Sequence, residues 1–107
     1  MDDKKNPYLS LHERIKSDAL RLLSFKPRSI AELKDRLRIK KYPPDLIDET
    51  IAVLTRQGLL DDQKFAKLYA NSVTSSRPVG KKRLEMDLAK KGLDPQAVKE
   101  TIAQVKL

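Results

Sequence analysis

Displaced by 51 residues, the chain aligns with itself without a gap, and this internal repeat restricts its possible folds more than any other feature. Over positions 16–54, 12 of 39 residues are identical to the residue 51 places later, several-fold above chance. Lys16, Ala19, Ser24 and Pro27 meet Lys67, Ala70, Ser75 and Pro78. Leu33, Leu37, Lys40 and Pro44 meet Leu84, Leu88, Lys91 and Pro95, and Glu49-Thr50-Ile51-Ala52 meets Glu100-Thr101-Ile102-Ala103. Repeats of this length are supersecondary units that stack into arrays. The 107 residues therefore hold two copies of one unit rather than a single irregular small domain.

Within each copy the apolar residues recur at helical spacing. Leu11, Ile15, Ala19, Leu22 and Leu23 predict a first helix at about 10–25, opened by a capping box in which Ser10 caps and Glu13 reaches back. A second box, Ser29 with Glu32, opens a helix with Ile30, Leu33 and Leu37 inward, ended by Pro43-Pro44. Asp45 is expected to cap a third helix, striped by Ile47, Ile51 and Leu54 and stopped at Gly58. A fourth follows Asp61-Asp62 with Phe65, Leu68, Tyr69 and Val73 inward, and Arg77-Pro78 breaks it. A fifth runs from Gly80 to Lys91 with Leu84 and Leu88 inward and Gly92 as its stop. A sixth starts at Asp94-Pro95, with Val98, Ile102 and Val105 inward. Period-two alternation is absent. The expectation is an all-α fold: two tandem three-helix, helix-turn-helix-like repeats, six helices and no sheet. The expected boundaries are a flexible N-terminal segment at 1–9, a first repeat at 10–58 and a second at 59–107.

Composition narrows the function. The absence of Cys excludes a disulfide framework, thiolate metal sites and a cysteine nucleophile. The single His12 cannot build a histidine-rich zinc centre and reads as a surface residue. No apolar run approaches the ~20 residues of a membrane span, and the Met-Asp-Asp-Lys-Lys start lacks a leader's apolar stretch. A cytoplasmic protein is expected, with no membrane partner. Gly58, Gly80 and Gly92 are isolated at helix ends, and Gly80-Lys81-Lys82 lacks the rest of a phosphate loop. Asp61-Asp62 is a cap and dipole complement rather than a metal pair. No catalytic residue, cofactor or metal is expected, so the chain is not read as an enzyme.

The formal charge of +8 is more informative. Residues 12–60 carry 11 basic and 7 acidic side chains, and 61–107 carry 10 and 6, so each half is +4. Lys34, Arg36, Arg38, Lys40 and Lys41 fall on or just after the second helix. Lys81, Lys82, Arg83, Lys90 and Lys91 fall on or just after the fifth, its equivalent. Arg77, like Lys26 and Arg28, lies on a loop leading in. The candidate binding face is Arg36, Arg38, Lys40, Lys41, Arg77, Lys81, Lys82, Arg83, Lys90 and Lys91. Ile39 and Met86 sit about 200° from the inward leucines, as surface hydrophobes, seam fillers or contacts beside those cations. Such a face suits DNA phosphate or an acidic protein surface. It is a poor reader of base sequence, because the third helix opens Asp45-Leu46-Ile47-Asp48-Glu49 where phosphates would lie and the sixth opens Asp94-Pro95-Gln96. The five aromatic residues form no stacking platform, and Phe65 with Tyr69 is core.

Several stretches together resemble the RecX family. Ala19-Leu20-Arg21-Leu22-Leu23-Ser24, Arg28-Ser29, Glu32-Leu33 and Leu37 resemble that family's opening unit. Gly58-Leu59-Leu60-Asp61-Asp62 with Phe65-Ala66 and Tyr69-Ala70 resembles its most characteristic stretch. Arg77, Gly80, Arg83-Leu84, Leu88 and Lys91-Gly92-Leu93 continue it in order. The resemblance implies a helical array that binds the RecA filament on single-stranded DNA, lying in its groove. It implies regulation, usually inhibition, of recombination, DNA repair and the SOS response, with no catalytic site. The basic face would then meet RecA and the filament's DNA, single- or double-stranded. Leu59 and Leu60 would pack a seam between repeats while Asp61 or Asp62 caps the next helix. The family commonly has three repeats where this chain shows two. A monomer is expected. The alternative reading is an independent basic DNA-binding module.

Overall fold

Six helices alternate with short turns in the computed structural model, which describes residues 10–105. The segment expected to be flexible at 1–9 lies outside the described residues. The helices are α1 (Leu11–Phe25), α2 (Ile30–Ile39), α3 (Pro44–Arg56), α4 (Asp62–Ser76), α5 (Lys81–Lys90) and α6 (Pro95–Gln104). Among the described residues there is no strand, and no helix is long and apolar enough to cross a membrane. The expected two tandem three-helix units are thus present. By compactness, residues 10–28 with 33–60 form the first unit and residues 29–32 with 61–105 the second.

The first unit closes on Ile15, Ala19, Leu33, Leu37, Leu46, Ile47, Ile51, Leu54 and Leu60, all buried. The second closes on Phe65, Ala66, Ala70, Leu84, Leu88, Leu93, Val98 and Ile102, with Tyr69, Val73 and Val79 against them. Truncating a fully buried leucine such as Leu84 costs about 2–5 kcal/mol by lost transfer energy and residual cavity. Three expected inward residues are not inward: Leu11 is exposed, Leu68 is 57% exposed, and Leu59 is 51% exposed. In α4 the small Ala66 and Ala70 take the packing face, which turns Leu68 to solvent. Of the Leu59-Leu60 pair only Leu60 is packed, inside the first unit.

The helix ends explain the chain breaks. Ser10 caps α1 by accepting from Glu13 N–H at 3.1 Å, and its hydroxyl donates to the Glu13 carboxylate. Ser29 and Glu32 form a full capping box, with Glu32 N–H donating to Ser29 Oγ and Ser29 N–H to Glu32 Oε1, both at 3.1 Å. Asp61 caps α4 by accepting from the N–H groups of Gln63 and Lys64. Two expectations need correction. Asp45 does not cap α3: Pro43 holds that position without a side-chain bond, and Asp45 sits in the first turn as a dipole complement. Nor do the prolines end α2. Lys41 does, in the left-handed conformation at φ 68°, with Tyr42 N–H closing on Leu37 O. Its repeat partner Gly92, φ 83°, ends α5 by the same bonds.

Candidate functional site

The basic residues separate into those held by the fold and those left on its surface. In the first unit Arg36, Arg38 and Lys41 are exposed and Lys40 is half-buried. Arg38 pairs with Asp35 at 2.9 Å and Lys34 with Asp48 at 3.6 Å. Arg28, expected on a basic loop, is buried, with its Nε donating to Leu22 O at 3.2 Å. It terminates α1 rather than facing a partner.

In the second unit Arg77, Lys81, Lys82 and Lys90 are exposed and, among the described residues, have no ion pair. Gly80 begins α5 with no side-chain cap, and its first turn contains no acid. The helix's positive end and its cations therefore reinforce one another. Two further residues expected on this face have acid partners within the unit, Arg83 while staying exposed and Lys91 while half-buried. Arg83 Nε lies 3.3 Å from Asp87 Oδ1, and Tyr69 OH donates to the other oxygen of Asp87 at 3.4 Å. Lys91 is half-buried, pairs with Glu32 at 3.3 Å, and lies 5.0 Å above the Tyr69 ring and 5.9 Å from that of Phe65. Phe65 and Tyr69 stack at 6.2 Å. Lys91 therefore works as a structural cation, satisfied by a carboxylate and two ring faces.

The candidate acids and histidine are likewise occupied. Asp62 Oδ1 accepts from Ile30 N–H at 2.8 Å, satisfying an orphan donor at the start of α2. His12 stands 3.7 Å from Glu49 on the surface, beside a small recess that includes Lys16 and Val53. Among the described residues no group of His, Asp and Glu is arranged to hold a metal ion.

Sequence reasoning missed two features. Asp18 is almost fully buried, and its carboxylate accepts from Tyr42 OH at 2.5 Å and faces Arg21 at 3.7 Å. Burial, and then the hydrogen bond to and charge of Asp18, push the Tyr42 phenol well above its usual range, against the opposing pull of Arg14 and Arg21. The available signal was an acid at position 18 on the same stripe as Ile15, Ala19 and Leu22. The second feature is a cleft of about 430 Å³ between α5 and α6, lined by Glu85, Ala89, Leu93, Pro95, Gln96, Val98 and Lys99.

Comparison with known proteins gives the same pattern from two directions. The model of the first three-helix domain of RecX matches residues 16–54, and that of the second three-helix domain matches residues 61–102. The chain is 34% identical over 93 residues to the regulatory protein RecX of Mycolicibacterium smegmatis, covering 87% of this chain and 50% of that one. It is 37% identical over 75 residues to the regulatory protein RecX of Chlorobium limicola, covering 70% and 47%. The chain thus spans about half the length of the curated relatives it matches. The crystal structure of RecX from Lactobacillus salivarius superposes with a TM-score of 0.83 at 27% identity, over 87% of this chain and 60% of that one.

Proposed function

Because the chain belongs to the RecX family, we propose that it is a non-enzymatic regulator, acting as an inhibitor, of the RecA recombinase. In this reading it lies in the groove of the RecA filament on single-stranded DNA and modulates recombination, repair and the SOS response. The observation that carries it is the ordered match of two RecX domains along one chain. We further propose sequence-repeat boundaries of 10–58 and 59–107, with Leu60 packing back into the first unit, and a monomeric, cytoplasmic protein.

The surface chemistry supports a binding role. Arg77, Lys81, Lys82 and Lys90, without an ion pair among the described residues, supply a positive field suited to an acidic filament surface or to phosphate. Arg36 and Lys41 add to it from the first unit, and Arg38 and Lys40 lie beside them.

The test is co-sedimentation with RecA–single-stranded-DNA filaments, together with their ATPase rate. The chain is expected to pellet with filaments and to lower the rate. Absence of both effects at excess protein refutes the proposal. The exposed cations also favour a second reading, an independent DNA-binding module. That reading requires tight binding to naked DNA without RecA, with affinity falling steeply as salt rises.

A further inference from the structure

We propose that the cleft between α5 and α6 receives an acidic segment of a partner protein anchored by one apolar side chain. The proposal deepens the reading above by naming the chemistry of the partner segment, and rests on it only for that partner's identity. It begins from a difference between the two repeats. In the first, Lys34 and Asp48 bridge α2 and α3 at 3.6 Å, and Tyr42 follows α2. Their equivalents in the second are Glu85, Lys99 and the smaller Leu93. The charges are exchanged, and neither Glu85 nor Lys99 has an ion pair among the described residues. With no bridge across it, this side of the helix pair holds the 430 Å³ cleft.

The lining determines the occupant. Ala89, Leu93, Pro95 and Val98 give the cleft an apolar floor, and its volume is within the range that admits a small ligand or a large side chain. Lys99 stands on its rim. On α5, one row round from Glu85 and Ala89, Lys82, Met86 and Lys90 are spaced at i, i+4 and i+8 and so share one exposed strip. Met86 is 56% exposed between those two lysines. A phosphate backbone matches the lysines, but the cleft offers its bases no aromatic platform to stack on. An acidic segment with an apolar residue satisfies both the lysines and the apolar floor, by the usual arrangement of a desolvated anchor within a charged rim. Within the lining Glu85 offsets Lys99, and the excess of cations comes from Lys82 and Lys90 on the adjacent strip.

The test uses the full chain and two labelled octapeptides of Glu and Asp, one with a central leucine and one with a serine in its place. Fluorescence anisotropy is expected to show the leucine peptide binding about tenfold tighter or more. Ala89→Glu and Lys99→Glu should each weaken it by a similar factor, while saturating oligothymidylate leaves it bound. Gln96→Glu, on the exposed lip, repeats the test should Ala89→Glu not fold. Equal binding of the two peptides, indifference to the substitutions, or displacement by oligothymidylate overturns the proposal, the last by making nucleic acid the occupant. No recombinase is present, so this failure is distinct from a failure of the filament assay.

Discussion

Gly92 is the position where one added carbon has the largest calculable effect. It ends α5 at φ 83°, and a Cβ built there lies 2.3 Å from the Cβ of Ala31. Two carbons normally approach no closer than about 3.5 Å, so Gly92→Ala must shift the start of α2 or the end of α5. Holding alanine in the left-handed region costs about 1–2 kcal/mol, and overpacking adds about 1–3 kcal/mol. The expected loss is about 2–5 kcal/mol, a large part of the ~5–15 kcal/mol that holds a small protein folded. Gly58→Ala separates the two causes, because Gly58 has φ 76° and no atom within 4 Å of its added Cβ. It should lose only the backbone part. Urea unfolding followed by circular dichroism reads both. With a slope of about 1.5 kcal/mol per molar, the Gly92→Ala midpoint should fall by ~2 M and that of Gly58→Ala by ~1 M. Ala31→Gly in the Gly92→Ala background should recover the steric part, less about 1 kcal/mol of helix propensity. Equal losses at Gly92 and Gly58, or no rescue by Ala31→Gly, would refute the reasoning.

The remaining predictions concern polar groups. Ser29→Ala removes a buried hydroxyl that donates to Lys91 O at 2.6 Å and caps Glu32 N–H, and a loss of about 2–3 kcal/mol is expected in thermal melts. Tyr42 has its phenol raised in the folded state, so its contribution is complete below the unfolded tyrosine value near 10 and declines as pH rises above it. Tyr42→Phe should therefore be less stable than the parent at pH 7 and show a shallower fall above pH 10; parallel alkaline profiles would contradict this. Lys81→Glu with Lys82→Glu should weaken filament co-sedimentation about tenfold or more with an unchanged melting temperature. Lys91→Glu should instead lower the melting temperature, because that cation is held by Glu32 and two rings.

The repeat made the architecture legible because its shared residues are those the fold uses twice. Leu33 and Leu84, Leu37 and Leu88, and Ile51 and Ile102 are buried in both copies. Thr50 and Thr101 are buried too, each satisfied by donating to the carbonyl four residues earlier, at 2.8 and 2.9 Å. Periodicity alone misplaced Leu68, because it weighs a leucine above two alanines when close helix approach requires the small residues. Lys41 was legible only through alignment with Gly92, since lysine by itself gives no sign of a left-handed turn. The site was less legible. The cations of the fifth helix could be counted, but the acid that withdraws Lys91 lies 59 positions away in sequence. The cleft was not legible because its lining, from Glu85 to Lys99, is brought together only by the packing of α5 against α6.

The two repeats differ most where they face solvent, and this bears on what kind of recognition the charge performs. Both carry a formal +4, yet Lys40 and Lys91 are the one identical basic pair on the candidate face, and Lys91 is half-buried and paired with Glu32. On and just after α2 and α5 the exposed cations occupy different positions: Arg36, Arg38 and Lys41 in the first repeat, and Lys81, Lys82, Arg83 and Lys90 in the second. A site reading one fixed geometry, such as a bidentate grip on a base edge, would need the same side chain at the same register. A field that draws a charged module along an acidic surface needs only the summed charge of each repeat. The preserved total and the shifting positions are what the second kind of recognition requires. If specific grip comes from the proposed contact at Met86 and the cleft beside Lys99, single-charge substitutions at the face should change association rate more than dissociation rate.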